Sequence, residues 1–277
     1  MKTISDVLQL STAFLLERKV ERARRRAEEL LAGALEVKRM DLYLQFDRPL
    51  VEKELSPMRD WLKRCAQGEP IEYILGKVEF AGCQISIDRR VLIPRQETEI
   101  LVDHISKRIG QGVLWDLCTG SGCIGISLKK KWPQLSVTLS DLSADALAVA
   151  SRNAEANGVE VELVQGDLLA PFLGKKADVI VCNPPYISAN EYLHLQPSVR
   201  DFEPKGALVG GERGTEYYER LAVDLPGCLH SGGLVFLEIG SGQGEVLKKN
   251  FSLGPWSRME VEKDWSGLDR FFFLEKQ

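Results

Sequence analysis

Through the first 70 residues, apolar positions recur at helical spacing. Thr3-Ile4-Ser5-Asp6 fits a capping box, in which the Thr hydroxyl and the Asp carboxylate satisfy free amides at a helix start. Val20, Ala23, Ala27, Leu30, Leu31, Ala34 and Leu35 form one apolar stripe facing a bundle core. Arg18, Arg22, Arg24, Arg25 and Arg26 lie around it with Glu21, Glu28 and Glu29. They read either as a solvated face or as a docking face for an acidic or RNA-bearing partner. A further helix is expected from Leu50 to Ala66, with Leu55, Met58, Trp61, Leu62 and Cys65 inward. Gly68-Glu69-Pro70 ends it.

The period then changes from 3.6 to 2. Gly76–Phe80 and Cys83–Ile87 alternate around Ala81-Gly82, which predicts a short hairpin and a joint between domains. From Val113 onward, strand and helix patterns alternate. Strands are expected at Val113–Leu117, Leu135–Ser140, Val161–Gln165, Ala177–Cys182 and Leu234–Ile239, with two more at Glu260–Glu262 and Arg270–Leu274. Helices are expected at Ile124–Lys131, Ala144–Ala156 and around Tyr217–Leu225. This alternation predicts an α/β fold, a parallel Rossmann-like sheet with helices on both faces.

Composition narrows the class. The chain is 44% hydrophobic and 27% charged, which excludes a disordered chain, a fibre and a coiled coil. No apolar run approaches the roughly 18 residues of a bilayer span, so no membrane partner is expected. No secretory h-region with a cleavage site follows Met1, so a cytoplasmic protein is expected. The net charge of −4 argues against a nucleic-acid coat. It is unevenly spread: residues 1–70 carry 14 Lys and Arg against 12 Asp and Glu, a net of +2, and the rest carries −6. The six cysteines form no C-x-x-C and the three histidines give no ligand spacing, so no metal site is expected and the thiols read as buried and free.

The chemistry is concentrated at strand ends. Asp116-Leu117-Cys118-Thr119-Gly120-Ser121-Gly122-Cys123-Ile124-Gly125 joins the first core strand to its helix and spells G-x-G-x-x-G at Gly120, Gly122 and Gly125. Such glycines permit a tight turn and close approach of a cofactor. Asp141 ends the next strand, 21 positions after Gly120, where a carboxylate can accept from ribose hydroxyls. Taken alone, this loop fits NAD, FAD or S-adenosylmethionine. Asp167, after the third strand, is placed either to meet an adenine amino group or to cap a helix over Leu168–Phe172.

The informative tetrad is Asn183-Pro184-Pro185-Tyr186 after the fourth strand. The prolines fix φ and supply carbonyls without competing N–H donors. The Asn183 side-chain carbonyl and the Pro184 carbonyl make two acceptors for a planar amino group, and Tyr186 offers a flat face beside it. An amide nitrogen is a poor nucleophile because its lone pair is delocalised. Gripping both N–H groups orients that lone pair toward an electrophilic methyl and stabilises the positive charge that develops on nitrogen.

The tetrad and the glycine loop together resemble class I S-adenosylmethionine-dependent methyltransferases that modify planar amino groups. More closely, the chain resembles the release factor glutamine methyltransferase family. The specific segments are Leu92-Ile93-Pro94-Arg95-Gln96-Glu97-Thr98-Glu99, Phe202-Glu203-Pro204, Ala207-Leu208 with Gly210-Gly211, Leu237-Glu238-Ile239-Gly240 and Asp264 to Arg270. The resemblance implies a helical substrate-docking domain at 1–75, a hairpin linker at 76–93 and a seven-stranded methyltransferase core at 94–277. It implies as substrate the glutamine of the Gly-Gly-Gln loop of class 1 release factors, and it is compatible with a monomer.

By match to the family, Asn183 and the Pro184 carbonyl hold the glutamine amide, Pro185 shapes the turn and Tyr186 packs near the methyl. Cys118, Thr119, Gly120, Ser121 and Gly122 line S-adenosylmethionine, with Asp141, Leu142, Asp167, Leu168 and Asn183 completing its pocket. Arg95, Glu97 and Thr98 wall the pocket or clasp the hairpin to the core, and Glu203 braces the tetrad loop. Two positions depart from the family: Cys118 stands where glycine is usual, which requires an ordinary negative φ there, and Leu168 stands where some members carry an aromatic. The rival readings are an amino methyltransferase of DNA or RNA, a nicotinamide oxidoreductase and a non-enzymatic scaffold.

Overall fold

The computed structural model describes residues 2–277 and divides them into two compact units. The first comprises Met1–Gly76 with Gln196–Phe202, and the second Lys77–Leu195 with Glu203–Gln277.

The first unit is helical: α1 (Ile4–Glu17), α2 (Ala23–Leu35), α3 (Asp41–Leu44), α4 (Glu52–Ala66) and α5 (Ile71–Leu75). Thr3 caps α1 through a reciprocal capping box with Asp6. Val20 lies outside α2, because the chain turns through left-handed Lys19 and Arg22 before that helix begins. Ala23, Ala27, Leu30 and Leu31 of α2 pack with Leu8, Leu15, Met58 and Cys65 in one core. The arginine face is largely paired: Arg24 with Glu28, Arg25 with Glu29 and Arg18 with Glu17.

The second unit opens with a hairpin of β1 (Lys77–Phe80) and β2 (Cys83–Ser86), turned tightly at Ala81 and Gly82, both with positive φ. Its helices are α6 (Gln96–Ser106), α7 (Cys123–Lys131), α8 (Ala144–Ala156), the short α9 (Ala189–Tyr192), α11 (Glu216–Cys228) and α12 (Gly244–Phe251). A further short helix, α10 (Pro197–Arg200), lies in the segment assigned to the first unit. The strands are β3 (Gly112–Leu117), β4 (Leu135–Asp141), β5 (Glu162–Gln165), β6 (Ala177–Cys182), β9 (Leu229–Glu238), β10 (Trp256–Lys263) and β11 (Asp269–Lys276), and a small pair is formed by β7 (Ile187–Ser188) and β8 (Val209–Gly211).

The seven long core strands make one sheet in the order β10-β11-β9-β6-β3-β4-β5. It is parallel from β5 to β9 and antiparallel at β11 and β10. This corrects the expectation of an all-parallel sheet. Only five residues separate β10 from β11, too few for the crossover that parallel pairing demands. Helix α6 was not anticipated either; its buried Ile100, Leu101, Val102 and Ile105 supply the apolar face.

Strand order reverses at β3: β4 lies on one side of it and β6 on the other. In an open α/β sheet the crevice at the carboxyl ends beside such a switch is where ligands bind. The glycine loop after β3, Asp141 at the end of β4 and the tetrad after β6 all fall there.

Candidate active site

A cavity of about 310 Å³ occupies that crevice, large enough for a cofactor-sized ligand. The segment before α6 lines one side with Arg90, Val91, Leu92, Pro94 and Arg95, and α6 adds Thr98. The floor is Cys118, Thr119, Gly120 and Ser121 of the glycine loop, with Cys123 and Ile124 of α7. Asp141, Leu142, Gly166, Asp167 and Leu168 come from the ends of β4 and β5. Asn183, Pro185, Gly206, Ala207 and Tyr217 close the remaining side. Of the expected site residues, Gly122, Pro184 and Tyr186 do not line it.

The glycine loop is held by two carboxylates. Asp116 Oδ2 accepts from the Thr119 hydroxyl (2.6 Å) and the Gly125 amide (2.9 Å), tying the two ends of the loop together. Asp141 Oδ2 accepts from Gly120 N and Oδ1 from Ser143 N, both at 2.9 Å. Burial pushes Asp116 up to about 7, opposed by its hydrogen bonds, and raises Asp141 as well. A Cβ on Gly125 would meet Leu139 at 2.3 Å, so that glycine is set by helix–strand packing, whereas a Cβ on left-handed Gly120 would meet nothing.

Cys118 overturns the expectation of a negative φ. It sits at φ +54°, in the left-handed region, and Leu168 across the cavity at φ +50°. Each costs about 1–2 kcal/mol. The surroundings hold them: Leu168 is buried, and Cys118 packs against the core cluster that contains the buried Cys182 at the end of β6. The position therefore keeps the backbone that glycine favours while carrying a side chain.

Asp167 is engaged by Arg220 of α11 at 2.7 Å, a partner that nothing in the sequence announces. Tyr217, one turn earlier on the same helix, adds an aromatic side chain to the cavity lining, which also includes Leu168.

The tetrad is framed from behind. Pro184 and Pro185 are buried, and Asn183 is half-buried. Among the described residues no hydrogen bond engages the Asn183 side chain, which leaves its amide open at the cavity. A Cβ on Gly210 would lie 2.3 Å from the Pro185 carbonyl oxygen, and one on Gly214 2.4 Å from that of Tyr186. Gln243 Nε2 donates to the Tyr186 carbonyl at 3.0 Å. The Tyr186 hydroxyl meets Glu238 (3.5 Å) and Arg270 (3.4 Å). Glu203 accepts from Ile93 N (3.2 Å) and pairs with Arg95, so it braces the segment before α6.

Two family models match the chain: the PrmC N-terminal domain over residues 6–76 and the methyltransferase small domain over residues 95–197. The chain is 42% identical to the release factor glutamine methyltransferase of Chlamydia trachomatis serovar D, over 99% of this chain and 94% of that protein. Among solved structures, a methyltransferase from Pyrococcus furiosus superposes with TM-score 0.53 at 21% identity, covering 70% of this chain and 89% of that one. A T. thermophilus 16S rRNA methyltransferase in complex with AdoMet and guanosine gives TM-score 0.53 at 14% identity, covering 73% and 50%. These two likenesses concern the fold.

Proposed function

The chain belongs to the release factor glutamine methyltransferase family, and we propose that it transfers a methyl group from S-adenosylmethionine to the side-chain amide nitrogen of the glutamine in the Gly-Gly-Gln loop of class 1 release factors. The observation that carries this reading is Asn183: an amide with no hydrogen-bond partner among the described residues, fixed on a proline-locked turn and facing a cavity floored by a glycine loop.

The residues present fit the cofactor. Ser121 lines the cavity, and its buried hydroxyl has no hydrogen-bond partner among the described residues, as expected of a group whose partner is a ligand. Gly120 opens toward free space, where a side chain would take a ligand's place. In this reading Cys118, Thr119, Gly120 and Ser121 hold the cofactor, with Gly122 shaping the loop. Asp141 accepts from the ribose, Leu142 covers it, and Leu168 packs on the adenine beside Asp167. When bound, S-adenosylmethionine supplies an electrophilic methyl.

The chain's own residues do the rest. The Asn183 side-chain carbonyl and the Pro184 carbonyl accept the two N–H groups of the substrate amide and hold its lone pair in line. Pro185 keeps that carbonyl fixed, and the Tyr186 ring packs against the substrate. As the N–C bond forms and the methyl's bond to sulfur breaks, the nitrogen becomes cationic and its N–H acidic; the two acceptors stabilise that charge without a strong base, and the proton is released to solvent. The helical first unit supplies the docking surface for the release factor.

The test is methyl transfer from labelled S-adenosylmethionine, offered a release factor in one reaction and ribosomal RNA or DNA in another. Label is expected on the release factor alone. Asn183→Ala should abolish most of that transfer and leave cofactor affinity by calorimetry largely intact. Label on nucleic acid, or full turnover by the variant, would overturn the reading.

A further inference from the structure

Glu238 ends β9, next to the strand that delivers the tetrad: Leu237 pairs with Cys182, so Glu238 lies beside Asn183. Its side chain does not line the cavity and is 1% exposed. A buried carboxyl needs partners, and those of Glu238 come from three separate elements. Oε2 accepts from the buried Thr98 hydroxyl of α6 at 2.7 Å, and Oε1 meets the Tyr186 hydroxyl at 3.5 Å. Its backbone carbonyl accepts from Tyr218 of α11 at 2.8 Å.

The chain of contacts continues outward. Arg270 of β11 donates toward the Tyr186 hydroxyl and the Ile239 carbonyl, both at 3.4 Å, and its Nε lies 3.4 Å from Asp264. Asp264 in turn accepts from Ser266 N and Leu268 N and so fixes the β10–β11 turn. One carboxyl thus links the cavity wall carried by α6 to the far end of the tetrad. The tetrad's own backbone offers few anchors, since its two prolines have no N–H.

We propose that Glu238 is a positioning residue for methyl transfer: through Thr98 and Tyr186 it holds the Asn183–Tyr186 turn at a fixed distance from the α6 wall of the cavity. Small displacements matter at such a site. Two acceptors must meet two N–H groups at once, and a misplacement of about 1 Å can cost about 100-fold in rate. The contact with Tyr186 is long in the free protein and is of the kind that tightens when substrate loads the turn. The inference rests on the proposed reaction for its consequence, though its geometry is a property of the free protein.

Two readouts separate it from the reaction itself. Amide hydrogen exchange in the free protein follows Tyr186 and Ile187, with the helices of the first unit as an internal reference. Glu238→Ala should speed exchange at those two amides and leave the reference unchanged; Glu238→Gln, which can still accept from Thr98 and bond Tyr186, should not. In the transfer assay, Glu238→Ala should lower kcat by roughly 10–100-fold without changing the dissociation constant for S-adenosylmethionine, and Glu238→Gln should restore most of it. Unchanged exchange at Tyr186 and Ile187 in Glu238→Ala overturns the inference, as does a general rise that includes the reference helices. If the wild-type protein transfers no methyl to a release factor, the reaction is refuted and the exchange data still decide the role of Glu238.

Discussion

At the scale of single residues, the site is built from groups held away from their ordinary states. Burial pushes Glu238 up to about 7; Thr98, Arg270 and Tyr186 oppose that, and the neighbouring Glu97 adds to it. Against an ordinary value of 4.5, the folded protein binds this proton between roughly pH 4.5 and pH 7 while the unfolded chain has released it. Stability therefore falls as pH rises through that window. Glu238→Gln should show a shallower decline in unfolding free energy from about pH 5 to about pH 8, with Asp116, also raised to about 7, supplying what remains. Equal slopes in denaturant titrations would remove the buried-carboxyl account. Asp141→Ala should weaken S-adenosylmethionine binding by ~1–3 kcal/mol by calorimetry; no loss would remove the ribose assignment. The motif-bearing residues Cys118–Ser121, Asp141 and Asn183 were legible because special chemistry sat at strand ends. Glu238, Gln243 and Arg220 were not legible as contacts, because these partners are 52 or more positions away in sequence. The left-handed backbone at Cys118 was misread, because residue identity gave a steric preference and the tertiary contacts overrode it.

At the scale of elements, local signals worked where one period dominated. The hairpin was legible from strict alternation around Ala81-Gly82, and α8 from a clean apolar stripe. Its turn carries a correctable strain: Ala81 sits at φ +45° where Asn or Gly is preferred. Ala81→Asn should raise stability by about 1 kcal/mol, read as a higher urea midpoint at constant slope, and keep the amide bond to Glu99. A lower midpoint would show that the side chain at 81 is selected by something other than the turn. Helix α6 escaped notice because its charged first turn, with Glu97 and Glu99, masks the apolar face. The antiparallel edge escaped notice too, since strand direction depends on connection length rather than on pattern.

At the scale of the whole molecule, the net charge of −4 conceals two units of different character. The helical unit carries the basic excess, and much of its arginine face is paired with its own glutamates. The α/β unit carries the acidic excess and the cavity. Among the described residues, no helix is long and apolar enough to cross a membrane. Whether this cavity methylates a glutamine side chain is decided by fragmentation mass spectrometry of a release factor after reaction with S-adenosylmethionine. A single added methyl on the side-chain nitrogen of the Gly-Gly-Gln glutamine is the predicted result. A methyl on any other residue, or an unmodified glutamine after exhaustive reaction, would contradict it.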